Sequence, residues 1–126
     1  MTDPLEAPKP LLWVGSAKKD LKAMPSGVQD NFGFALYLAQ MGSKHVRAKP
    51  LKGFGSAGVL EVVESEAGST YRAVYTVKVA GAVYVLHCFQ KKSASGIATP
   101  KPDMDLINER LKAALAHAGS QAATDK

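Results

Sequence analysis

From Val59 to Lys91 the chain is built almost wholly of strand-forming residues and is interrupted only twice. No other feature constrains the fold as strongly. Three runs, Val59–Ser65, Thr70–Ala80 and Ala82–Lys91, are rich in Val, Tyr, Thr and Phe, types that suit a pleated, half-buried surface. Their separators are Glu66-Ala67-Gly68-Ser69 and the tight region at Gly81, too short for a crossover. The strands must therefore return antiparallel, as a meander of hairpins. A chain of 126 residues organised around such a unit fits a single domain.

The flanking segments predict helices. Residues 1–10 hold three prolines and read as a flexible lead-in. Leu11-Leu12-Trp13-Val14, closed by Gly15, suits a short buried strand. Ser16 is placed to cap a helix over Lys18–Met24 by accepting a first-turn amide, and Pro25 ends that helix and suits the first turn of the next. The second helix is expected to reach about Met41, with Val28, Phe32, Ala35, Leu36 and Ala39 on one face and Gly42 as terminator. Residues 43–58 show no period and read as a basic loop, and Gly96–Pro102 as another loop. A last helix is expected from Asp103 to about Ala118, carrying Met104, Ile107, Leu111 and Leu115 on one face. Residues 119–126 read as a mobile tail, leaving 11–118 as the domain. The class is α+β: a mostly antiparallel sheet of about four strands, an N-terminal helical hairpin and a C-terminal helix.

Charge is unevenly spread. The chain carries +5 overall, and nine basic residues lie between Lys44 and Lys101 against three acids, Glu61, Glu64 and Glu66. The rest holds seven basic and eight acidic residues, so the positive excess belongs to the sheet region. Such a balance favours an acidic partner such as nucleic acid, without specifying a fold. Cys88 is the only cysteine, which rules out an internal disulfide and a Cys-rich zinc site. The acidic, proline-bearing start is unlike a signal peptide, and no apolar stretch nears membrane-spanning length. A reducing cytoplasm is the expected setting.

Candidate chemistry gathers on the sheet. By parity Tyr71, Ala73, Tyr75, Val77 and Val79 share one face of the middle strand, and Thr70, Arg72, Val74, Thr76 and Lys78 the other. A mid-strand Arg is costly unless it reaches solvent or an anion, although pairing with Glu61 or Glu64 next door would account for Arg72 equally well. The following strand ends in His87-Cys88-Phe89-Gln90-Lys91-Lys92-Ser93, where adjacent lysines point to opposite faces, so only one joins Arg72. A histidine among apolar neighbours, such as His87, is more often a packed core residue than a catalyst. His45, His87 and His117 lack metal-ligand spacing, Gly53-Phe54-Gly55 lacks the rest of a phosphate loop, and no Gly-x-Ser-x-Gly turn occurs. No cofactor is implied. Cations alone can cut RNA: its own 2′-hydroxyl attacks, and Arg or Lys stabilises the charge gathering on phosphorus-bound oxygens. DNA lacks that hydroxyl.

The run Lys49-Pro-Leu-Lys-Gly53, the strand Tyr71-Arg-Ala-Val-Tyr75, and Val85-Leu-His-Cys-Phe-Gln-Lys-Lys-Ser93 followed by Thr99-Pro100 and a helix resemble the RelE/HigB toxin superfamily. The resemblance is closest to its phage-derived, HigB-like branch and spans roughly residues 11–117. It implies a RelE-like sheet flanked by helices, acting as the toxin of a type II toxin–antitoxin pair that cuts mRNA in the ribosomal decoding site. It further implies a HigA-like helix-turn-helix antitoxin as partner. Arg72, Lys91, Lys92 and His87 are the catalytic candidates so implied, and Lys44, Arg47, Lys49 and Lys52 the RNA contacts. Two departures stand out: Glu61-Val62-Val63 where relatives often carry a cation, and no Tyr between residues 101 and 118. Tyr75 and His87 are then the side chains left to assist. Two other readings compete: a ParE-type, non-enzymatic gyrase inhibitor, and a non-toxic phage-derived nucleic-acid-binding protein.

Overall fold

The computed structural model describes residues 8–55, 57–91 and 99–124, with side chains as far as Ser120. In chain order the elements are β1 (Leu11–Trp13), α1 (Ala17–Lys22), α2 (Ser26–Gln40), β2 (Lys49–Pro50), β3 (Val59–Glu66), β4 (Ser69–Val79), β5 (Ala82–Lys91) and α3 (Lys101–Thr124). The strands form one sheet in the order β1-β5-β4-β3-β2, antiparallel except where β1 runs parallel to β5. The expected α+β class and mostly antiparallel sheet hold. The strand count is five rather than about four, because Lys49 and Pro50, inside the expected basic loop, pair with Glu61 and Leu60.

Both hairpins of the meander close with two residues at positive φ: Ala67 (52°) and Gly68 (83°), then Ala80 (52°) and Gly81 (66°). This is the turn whose twist matches paired strands, and an alanine in its first central position is strained. The turns set the register. Glu66 faces Ser69, so Val63 faces Arg72 and Glu61 faces Val74. Between β4 and β5 the register slips twice, at Val74/Tyr75 and at Thr76/Val79. The first slip leaves Leu86 as an extra residue, so Leu86 packs beneath α3 beside its neighbour His87, which bonds to α3.

Helices cover both faces. The α1–α2 hairpin packs Leu21, Val28, Phe32, Leu36 and Ala39 against Val62, Ala73, Tyr75, Val83 and Val85. Helix α3 packs Ile107, Leu111 and Ala114 against Val74, Tyr84 and Leu86 on the other side. Several local details depart from expectation. Ser16 makes no side-chain cap; its hydroxyl donates to Asp20 at 2.7 Å and accepts from Arg110 at 3.1 Å. Arg110 also donates to the Leu86 carbonyl at 2.9 Å, so one α3 side chain ties β5 to the start of α1. Pro25 sits just before α2, and the Gln29 amide closes α1 by donating to the Met24 carbonyl. Gly42 (φ 82°) terminates α2 as anticipated, with the Ser43 amide reaching back to Leu38. Helix α3 continues to Thr124, beyond Ala118. Among the described residues no helix is long and apolar enough to cross a membrane.

Because the left-handed conformation costs alanine about 1–2 kcal/mol and suits asparagine better, Ala67→Asn and Ala80→Asn should each stabilise the fold by about 0.5–1 kcal/mol. Thermal unfolding should register each as a rise of roughly 2–6 °C. No rise in either variant would count against this turn geometry.

Candidate functional site

Helix α3 lies over β5 and β4 and leaves the β3–β2 side of its face uncovered. There a cleft of about 500 Å³ opens, lined by Lys49, Pro50, Leu51, Lys52, Glu61, Val63, Arg72, Thr99 and Met104. The register explains the gathering. Lys49 lies directly opposite Glu61, and Arg72 stands diagonally across from Glu61 on β4. Arg72 Nη1 donates to Glu61 Oε2 at 2.8 Å and to the Thr99 hydroxyl at 3.3 Å; that hydroxyl in turn donates to Glu61 Oε2 at 3.1 Å. Arg72 is only 5% exposed and Glu61 7%, so neither face of the sheet is open in the way parity suggested. The ion pair foreseen as one account of Arg72 is present. Yet the guanidinium also forms part of the cleft wall, and with exposed Lys49 and Lys52 the wall holds three cations against one carboxylate. An anion entering it meets net positive charge.

The other candidates divide sharply. Lys91 faces Thr70, which puts it on the Arg72 face one row further along β5, buried at the strand end. Lys92 lies outside the described residues. His87 shares that face but does not line the cleft: Nε2 donates to Asp103 Oδ1 at 2.8 Å, and the ring stacks on Phe89 with centroids 4.5 Å apart. The imidazole thus fastens the first turn of α3 to β5, the packed-histidine alternative. Arg47 turns to the opposite face, where it pairs with Glu64 at 2.9 Å alongside the Asn31 amide. Lys44 is exposed in the loop after α2. Of the four proposed RNA contacts, Lys49 and Lys52 alone line the cleft.

Sequence reasoning passed over Thr99 as a site residue and treated Glu61 only as a neutralising neighbour. Glu61 was within reach, since the hairpin turn dictates its place beside Arg72. Thr99 was not, because only the packing of α3 brings it across the sheet. Among the described residues no group of His, Cys, Asp and Glu is arranged to hold a metal ion.

Tyr75 is disqualified as a catalytic base. It is wholly buried on the α1–α2 face, its hydroxyl has no hydrogen-bond partner among the described residues, and burial pushes it from 10.0 up to about 12. Burial likewise raises the Cys88 thiol from 9.0 to about 12; the nearby Asp20 carboxylate adds to the rise and Arg110 opposes it. Both groups stay neutral near pH 7. Unfolded chains would ionise them first, so this part of the stability is intact below about pH 9 and is lost as pH climbs toward 12. Tyr75→Phe should be neutral or stabilising by up to about 2 kcal/mol at pH 7, since it removes an unsatisfied buried hydroxyl. Urea titrations at pH 7 and pH 11 should show the variant gaining on the parent at the higher pH. A loss of several kcal/mol at pH 7 would mean that the hydroxyl is bonded.

A model of the family described as Phage derived protein Gp49-like (DUF891) matches residues 19–112. That match takes in α2, most of α1, the first half of α3, the whole meander and every cleft residue. No curated protein and no solved structure matches the chain. The cleft therefore lies within a recognised unit, and the chain belongs to the phage-derived Gp49-like family, which is related to the RelE-type toxins of toxin–antitoxin systems.

Proposed function

We propose that this protein is a toxin that cleaves mRNA on the ribosome without a metal, in the cytoplasm, and is restrained by a HigA-like helix-turn-helix antitoxin. The observation that carries the reading is Arg72 in the wall of a cleft whose rim is Lys49 and Lys52. RNA threads along the rim lysines, which neutralise backbone phosphates and position the strand. The scissile phosphate draws the Arg72 guanidinium away from Glu61, exchanging one anionic partner for another. The 2′-hydroxyl then attacks phosphorus. Its proton passes to the released Glu61 carboxylate, the P–O5′ bond breaks, and the 5′ oxygen takes a proton from water. The products are a 2′,3′-cyclic phosphate and a 5′-hydroxyl. Arg72, with Lys91 on the same face, stabilises the charge on the phosphorane oxygens. His87 is assigned no chemical step, because Asp103 and Phe89 already hold its ring.

One observation favours a second, ParE-type reading in which the fold inhibits gyrase without catalysis. Arg72 is already paired with buried Glu61, an ion pair that would persist as a structural element whether or not RNA ever bound. A supercoiling assay separates the two.

Induced expression with mapping of mRNA 5′ ends should show new cleavage sites in translated frames. Arg72→Ala should lower cleavage by about 10²–10³-fold, as loss of a transition-state donor does. That change also strands Glu61, which costs about 3–5 kcal/mol, so Arg72→Met with Glu61→Met serves as the folded control and should be equally inactive. Lys49→Ala with Lys52→Ala should leave stability intact, weaken RNA binding and flatten its salt dependence by about 0.7 per lysine. Intact messages during growth arrest would refute the nuclease reading.

A further inference from the structure

The cleft holds more room and more apolar surface than a phosphate can use. Its volume, about 500 Å³, lies in the range of sites for whole small molecules. Arg72, Lys49 and Lys52 supply the cations, yet Pro50, Leu51, Val63 and Met104 line the same space. Val63 and Met104 are half-buried and, among the described residues, belong to neither apolar layer of the core. Apolar side chains held beside a cation set suit a ligand that joins an apolar body to an anion.

This wall is fixed before any ligand arrives. The Leu51 amide donates to the Val59 carbonyl at 3.0 Å, and Val63 lies on β3 directly opposite Arg72. Met104 stands in the first turn of α3, where its amide donates to the Pro100 carbonyl at 3.0 Å. Its side chain reaches the loop after Lys52, since a Cβ added at Gly53 would lie 3.3 Å from Met104 Cε. The thioether therefore spans from α3 to that loop and offers the cleft a polarizable face. A flat aromatic ring is what such a face receives, because sulfur–aromatic contact is favourable and dispersion grows with the area covered.

We infer that the cleft seats one whole nucleotide, its nucleobase against Met104, Leu51 and Val63 and its phosphate at Arg72, between the rim lysines. This deepens the nuclease reading and rests on it for the phosphate seat. The nucleotide held is the one whose 3′-phosphate is cut, because that nucleotide carries the attacking 2′-hydroxyl. Gripping its base holds the sugar, and with it the hydroxyl, in place against phosphorus. Met104 is thus a positioning residue that touches no reacting atom. The base must turn out of its stack to enter, which a single strand permits.

The test titrates the purified full chain with adenosine 3′-monophosphate, adenosine and inorganic phosphate by calorimetry, and follows the methionine methyl resonances. The monophosphate should bind at least about 10-fold more tightly than either half alone, as one stacked base contributes. The Met104 methyl should move upfield with the monophosphate and stay in place with phosphate. Met24 and Met41, which belong to the α1–α2 hairpin and its closing turn, are the controls. Met104→Ala should cost the monophosphate about 10-fold and leave phosphate binding unchanged. Lys49→Ala with Lys52→Ala should weaken both anions alike. If Met104→Ala folds poorly, Val63→Thr keeps size and branching and should lower the same preference for the base.

Several results would overturn the inference: equal affinity for monophosphate and phosphate, no binding of the monophosphate at millimolar concentration, a methyl shift confined to Met24 or Met41, or a Met104→Ala loss shared by phosphate. If the base-dependent binding appears and messages stay intact on expression, the nucleotide seat stands and the nuclease reading fails. If messages are cut while the base adds nothing, the nuclease reading stands and the seat fails.

Discussion

The arrangement depends on β4 being paired along both edges and covered on both faces. Its backbone groups are satisfied by β3 and β5, and its side chains alternate between the α1–α2 layer and the α3 layer. A strand so placed tolerates a charge only where a partner is already in position. The two-residue turn at Ala67-Gly68 supplies that partner, because it brings Glu61 diagonally across from Arg72. Shifting the register by one residue would send Glu61 to the other face and leave a guanidinium alone in the interior.

The same constraint shapes the cleft. An Arg already bonded to Glu61 and Thr99 is held in one orientation before any ligand arrives. A phosphate must therefore compete for it, and the electrostatic advantage comes from Lys49 and Lys52 at the rim. Only a strongly anionic ligand could take the guanidinium from Glu61, because a neutral one offers nothing to offset separating the buried pair. On the far side of the sheet Arg47 and Glu64 form a second ion pair, much more open to water on the arginine side and worth correspondingly less. The two arginines look alike in the sequence and differ in setting, because one is buried in the cleft wall and the other lies on a surface.

Much of the fold was legible. The three strands, the helical hairpin with its inward face and the last helix follow from side-chain period and from Gly and Pro punctuation, which are local signals. The short β2 was not, since Lys49-Pro50 has no strand character and pairs only because β3 offers a free edge. The slips between β4 and β5 also leave no local mark, and they are what bring Leu86 and His87 together beneath α3. His87 illustrates the limit: no local signal announces that its ring bonds Asp103 at the start of α3 and stacks on Phe89.

The sequence by itself determined the element order, the alternation that puts Tyr75 in a core, the hairpin register that sets Arg72 beside Glu61, and the concentration of positive charge around the sheet. These depend on neighbours along the chain or on a turn of known length. Only the tertiary structure decided which cations share a cleft. Lys49 and Lys52 join Arg72 while Arg47 does not, and Thr99, just ahead of α3, completes the site. The reason is that helix α3 stops short of β3, and where a helix ends over a sheet depends on packing between distant side chains rather than on any local preference.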